Sequence, residues 1–120
     1  MRNWLLGFTA GAVLASWLTL SCSGALAQSR EVSAAIHSAS LRWGVSEPWL
    51  LRVAYCESRY LPWARGRAGE MGLYQYLPAT WRWMSTEAGW AGASPYDPVA
   101  AAAVTAWALS RGYAGHWTCR

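Results

Sequence analysis

The stretch EPWLLRVAYCES, residues 47–58, reads as a helix that carries an acid on its apolar face. At about 100° per residue, Trp49, Leu50, Val53 and Ala54 fan over roughly 140° of its circumference. Glu57 falls near the middle of that fan, while Leu51, Arg52 and Tyr55 take the other side. A carboxyl group placed there loses hydration, which penalises its charged form and raises its pKa. An acid still protonated near neutral pH can hand a proton to a leaving group. The competing reading is a buried Glu57 paired with an arginine of the loop that follows, Arg59, Arg65 or Arg67.

Working outward, the punctuation marks further helices joined by irregular loops. In SREVSAAIHSASLRWG, Val32, Ala35, Ile36, Ala39 and Trp43 recur at helical spacing and Gly44 ends the run. Ser46 caps the helix of 47–58. A loop rich in Gly, Arg and Pro runs from Arg59 to about Leu77, with GEMGLYQYL inside it as a possible short strand or hairpin. PATWRWMSTEAG puts Pro78 in a first turn and Gly89 past a helix end. Asp97 then caps an alanine-rich helix that has Pro98 in its first turn and closes at Gly112. Alternating strand patterns are scarce, so the fold class is mainly α, a small domain of about four helices.

The N-terminal segment stands apart from this domain. Arg2 precedes the apolar Trp4–Leu20, and Asn3–Gln28 carries no charge and closes on small residues with an Ala25-x-Ala27 pattern. That composition predicts an export signal, residues 1–27, cleaved after Ala27. Retention as a membrane anchor and lipid attachment at Cys22 are the alternatives. Cleavage leaves 93 of the 120 residues, enough for one core. Nine arginines then oppose six acids, a net +3. The charge is too mild to argue for nucleic acid, though it favours encounter with anionic cell-wall polymers or lipid if it is not simply a solvated surface. Cys56 and Cys119 remain as one possible disulfide in an oxidising compartment, secreted or periplasmic. Such a bond is worth roughly 4 kcal/mol in the loop-entropy picture. His37 and His116 offer no metal-ligand spacing, and nothing implies a cofactor.

The loop carries the decisive pattern. Glu57-Ser58 ends a helix, Gly72-Leu73-Tyr74-Gln75 follows, and then Pro78-Ala79-Thr80 and Trp81. In this order and spacing the set resembles the lysozyme-like domain of goose-type lysozymes and soluble lytic transglycosylases, and it covers Val45 to Arg120. YCES together with the ending HWTC is more similar still to the resuscitation-promoting-factor branch, where a cysteine before the catalytic Glu pairs with one near the C-terminus. The resemblance implies a sugar cleft lined by Gly72-Leu73-Tyr74-Gln75 and Pro78-Ala79-Thr80, peptidoglycan strands as partner, and Glu57 as acid and then base. It implies that Gln75 bonds an N-acetyl sugar or holds the acid, that Tyr74 forms cleft wall, and that Ser58 and Gly72 belong to the substrate site. The family usually carries an Ala-Tyr-Asn stretch beside the acid; this chain has only GYAGHW, and the resemblance would give Tyr113 that place.

Cleavage by two carboxylates needs a partner for Glu57. Asp97 is explained as a cap, Glu47 and Glu87 by their helix ends, and Glu70 by a loop ion pair with Arg65 or Arg67 or, alternatively, as that second carboxylate. One acid suffices if the sugar supplies its own nucleophile; the resemblance implies that route, with the acetamido group assisting and a 1,6-anhydro sugar as product, so a lyase is favoured over a muramidase. A non-catalytic glycan-binding module is the further alternative. The segment after residue 27 has eight Trp and six Tyr and no Phe. Rings with a polar edge suit sugar faces, and Trp63, Trp83, Trp90 and Trp117 are the candidates nearest a cleft. The protein is expected to act as a monomer, with no stable membrane insertion once the signal is removed.

Overall fold

The computed structural model describes residues 10–119, with side chains from Cys22 onward. The helices are α1 (Ala10–Trp43), α2 (Glu47–Ser58), α3 (Pro78–Glu87) and α4 (Pro98–Ser110), followed by a 3₁₀ turn over Tyr113–His116. Among the described residues there is no strand. The expected hairpin is reduced to isolated antiparallel bridges that pair Met71 with Arg65 and with Tyr76.

α4 is the centre of the domain. Ten consecutive residues, Ala100–Leu109, are buried, so that stretch of the helix has no solvent face. A helix apolar all round belongs inside a core, and its alanines let α1, α2 and α3 pack close on several sides. Asp97 caps it as expected, Oδ1 accepting from the Val99 amide at 2.9 Å. α1 lays Val32, Ala35, Ile36 and Ala39 into the core at the spacing read from the sequence. Beyond its end Gly44 takes a left-handed φ of 63°, and Ser40 Oγ donates to the Val45 carbonyl at 2.6 Å, which turns the chain into α2.

α1 is longer than the sequence pattern suggested, since it continues N-terminally through the expected cleavage point. The export-signal reading of 1–27 falls partly on residues 1–9, outside the described residues. Among the described residues no helix is long and apolar enough to cross a membrane.

α2 ends in a sharp reversal. Arg59 and Tyr60 both adopt positive φ, 55° and 62°, an unusual pair for residues with side chains. The Arg59 guanidinium lies over the Tyr55 ring at 4.4 Å, and the Tyr55 and Tyr60 rings meet at 5.4 Å, which secures the turn. The chain then runs through the 61–77 loop, whose Gly72 sits at φ 78° with an added Cβ blocked by the Pro95 carbonyl. Cys56 of α2 is bonded to Cys119, tying the segment after the 3₁₀ turn to the helix that carries Glu57.

The disulfide closes a loop with a sequence separation of 63 residues. Replacing both cysteines by serine is expected to lower the unfolding free energy by roughly 4 kcal/mol, read as a fall in the urea midpoint against the oxidised protein.

Candidate functional site

Glu57 is the penultimate residue of α2, at the point where the core-facing stripe of the helix runs out of core. Leu50, Val53 and Ala54 are fully covered, whereas Glu57 is half-buried and opens into a cleft of about 220 Å³. Gln75, Tyr76 and Glu70 from the 61–77 loop and Leu77 and Thr80 at the start of α3 line one side; His116, Trp117 and Thr118 close the other. A larger cavity, about 580 Å³, lies between α1 and the turn after α2. It contains Trp63 and Arg59 and no carboxylate, so of the two only the smaller cleft offers an acid.

No arginine pairs with the acid. Among the described residues the one ion pair is His37–Glu47, and the Glu57 side chain makes no hydrogen bond. Burial raises the pKa of Glu57, and the nearby negative charge of Glu70 raises it further. The alternative of a structural Glu57 clamped by Arg59, Arg65 or Arg67 therefore fails. Arg59 is occupied with the Tyr55 ring and Arg65 lies over the Tyr96 ring at 5.5 Å. The expected ion pair of Glu70 with Arg65 or Arg67 is absent as well. Glu70 instead turns into the cleft, its Oε2 accepting from the Ala68 amide at 3.3 Å. It rests over Gly66, where a Cβ would collide with the carboxylate and come within 2.9 Å of Gln75 Oε1.

The Glu-Ser and Gly-Leu-x-Gln elements are physically joined. Ser58 is buried and its hydroxyl contacts the Ala54 carbonyl at 3.0 Å and the Leu73 carbonyl at 2.8 Å. It staples the end of α2 to the loop and presents nothing to the cleft. Gly72 is buried likewise, its tight approach to Pro95 being the reason for a glycine. Gln75 is at φ 53°, and its Nε2 donates to the carbonyls of Gly72 at 2.9 Å and Ala64 at 3.2 Å. Those bonds fix the side chain in the cleft wall and leave Oε1 as its accepting end; none of them goes to Glu57.

The left-handed kink at Gln75 decides which tyrosine meets the cleft. Tyr74 is fully buried with its hydroxyl donating to the Leu50 carbonyl at 3.2 Å, so it lies beneath the cleft and does not form its wall. Tyr76 has the wall position. Its hydroxyl reaches Thr105 Oγ1 of α4 at 2.8 Å, and its ring meets Trp81 and Trp117 edge-on at 5.0 and 5.6 Å. Trp117 donates from Nε1 to the Tyr74 carbonyl at 2.9 Å, which docks the C-terminal segment on the loop. Trp81 donates to the Ala93 carbonyl at 2.9 Å and anchors α3 to the loop that follows it.

Tyr113 does not line the cleft but stands behind it, its ring 5.3 Å from Trp83 and 6.2 Å from His116. Of the four tryptophans singled out, Trp117 lines the cleft, Trp83 flanks it at 5.8 Å from the His116 ring, Trp63 borders the other cavity, and Trp90 packs on the core. Thr118 and Leu77 were not anticipated, and neither carries a chemical signal in the sequence that would have marked it. Thr105 was detectable as the lone hydroxyl in an alanine run. No group of three or more metal-ligating side chains occurs among the described residues.

The family model described as the transglycosylase SLT domain matches residues 34–117. No curated protein matches the chain.

The raised pKa of Glu57 has a consequence for stability. The folded protein holds this proton more tightly than the unfolded chain, whose carboxyl titrates near 4.5. The associated stability is thus present below that pH and is lost as pH rises through the folded value. Glu57→Gln, which cannot ionise, is expected to gain on the wild type as pH goes from 4 to 7 in urea unfolding. A difference that stays constant over that range would contradict the shift.

Proposed function

Because the chain belongs to the transglycosylase SLT domain family, whose membership implies lytic transglycosylase activity on peptidoglycan, we propose that Glu57 cleaves the β-1,4 bond between N-acetylmuramic acid and N-acetylglucosamine. The observation that carries this reading is a carboxyl group with no counter-ion, kept toward its acid form by burial and by Glu70, at the opening of a cleft. Glu57 protonates the glycosidic oxygen as the bond breaks, and the acetamido oxygen of the muramoyl sugar closes on the anomeric carbon. The resulting carboxylate then takes the proton of the 6-hydroxyl as that oxygen attacks, giving the 1,6-anhydro end. No water is consumed.

The cleft is smaller than the ~300 Å³ of a usual enclosed ligand pocket, which suits one pyranose ring of a strand lying across it. Tyr76 and Trp117 form its apolar wall, and Gln75 Oε1 accepts from a sugar hydroxyl or amide. Ser58, Gly72 and Tyr74 serve by holding the loop, and Tyr113 by backing His116. No step calls for a cofactor. A muramidase is the second reading, favoured by the unpaired Glu70 in the same cleft, a base that could activate water.

The enzyme is read as an exported monomer, with residues 1–27 as a signal removed after Ala27 and residues 28–120 working in the periplasm or outside the cell. The disulfide and the start of the family match at residue 34 support this. The bond from the cysteine before Glu57 to one near the C-terminus supports a position in the resuscitation-promoting-factor-like branch.

Purified murein sacculi digested with the 28–120 domain are expected to yield anhydro-muropeptides by mass spectrometry, whereas a muramidase would yield reducing ends. Glu57→Gln should lose turnover by about 10²–10⁴-fold with its fold intact by circular dichroism. Full activity in that variant would take the acid out of the mechanism.

A further inference from the structure

We propose that Glu70 is a second working carboxylate of the cleft, accepting the acetamido N–H of the muramoyl sugar while that group attacks its own anomeric carbon. The inference rests on the glycan-cleaving reading above. Its starting point is a charged side chain that has been given a place and no counter-ion. Glu70 lines the same cleft as Glu57, is oriented by the Ala68 amide, and has room only because residue 66 lacks a Cβ. The arginines close to it in sequence do not neutralise it, and Arg65 is directed to the Tyr96 ring.

The remaining titratable groups of the cleft are Glu57 from α2, Tyr76 from the loop and His116 from the 3₁₀ turn. Burial pushes the Tyr76 phenol far up, so it stays neutral. A strand bound here therefore meets a carboxylate next to Gln75 Oε1, two acceptors side by side against Gly66.

The chemistry supplies the group that such an acceptor suits. As the C1–oxygen bond breaks and the Glu57 proton goes to the leaving oxygen, the acetamido carbonyl oxygen bonds to C1. The sugar becomes a bicyclic oxazolinium, a cation whose N–H is far more acidic than that of the starting amide. A fixed carboxylate that accepts this N–H interacts more strongly with the cation than with the neutral ground state, which is the condition for lowering the barrier. When the 6-hydroxyl oxygen attacks C1 and its proton passes to Glu57, the amide is restored and Glu70 is left as it began. Protons and charge balance without a further reactant.

Glu70→Gln keeps the shape that fits over Gly66 and removes the charge. With sacculi as substrate, kcat is expected to fall about 10- to 100-fold with KM little changed, and anhydro products and any reducing ends should fall together. The alkaline limb of the pH profile should move to lower pH, because Glu57 loses the neighbour that helped keep it protonated. Binding of an N-acetylglucosamine thiazoline, whose protonated ring imitates the cation, should weaken by a similar factor, while binding of chitotriose should not. Wild-type kcat and thiazoline affinity in Glu70→Gln would overturn the proposal. So would a loss confined to reducing-end products, which would make Glu70 the base that activates water. If the wild type itself releases no soluble sugar, the cleaving reading falls and Glu70's role with it. Cleavage by the wild type with an indifferent Glu70→Gln strikes this inference alone.

Discussion

The close packing of α4 is the constraint on which the remaining structure depends. Its side chains from Ala100 to Ala103 are little more than backbone, so three other helices can approach within the reach of their own side chains. The one hydroxyl among the buried residues of α4, on Thr105, is satisfied by Tyr76, a residue of the cleft wall. A buried hydroxyl left alone costs about 1–3 kcal/mol, so the core and the cleft specify each other through this pair. Trp81 and Trp117 then pack on the Tyr76 ring from two sides, bringing α3 and the C-terminal segment to the same place.

The electrostatics of the cleft follow from what its cations do elsewhere. The chain has a net positive charge, yet no arginine lines the cleft around Glu57. Arg59 and Arg65 lie on tyrosine rings, where a guanidinium gains a contact of about 0.5–1 kcal/mol at an exposed site and remains hydrated. Burying either one against Glu57 would have removed water from two charges to make one pair. The acid is left to be governed by partial burial and by a like charge, both of which favour its protonated form.

Features with local causes were legible in the sequence. The caps at Ser46 and Asp97, the prolines at the starts of α3 and α4, and the apolar spacing in α1 are each settled within a few residues, and the helices begin where these signals put them. Glu57 was legible because its angle on α2 is a matter of counting. The loop was not. Between Gly72 and Tyr76 the path turns on left-handed residues, so alternation along the chain does not predict that Tyr74 goes under and Tyr76 faces the cleft. The freedom of Glu70 was hidden as well, since an ion pair with Arg65 is equally compatible with the sequence until the position of Tyr96 is known. The length of α1 shows the opposite limit: continuous helical propensity carries no mark at the cleavage point expected from composition.

Gln75 stands where a side chain is least welcome. Its φ of 53° costs an L-residue roughly 1–2 kcal/mol, and glycine would be comfortable there. The glutamine recovers part of that through two bonds to carbonyls of its own loop, and in doing so it becomes rigid. An amide immobilised in this way would lose little rotational freedom to any ligand that bonded its Oε1, so the discomfort of the loop would be converted into readiness for a guest.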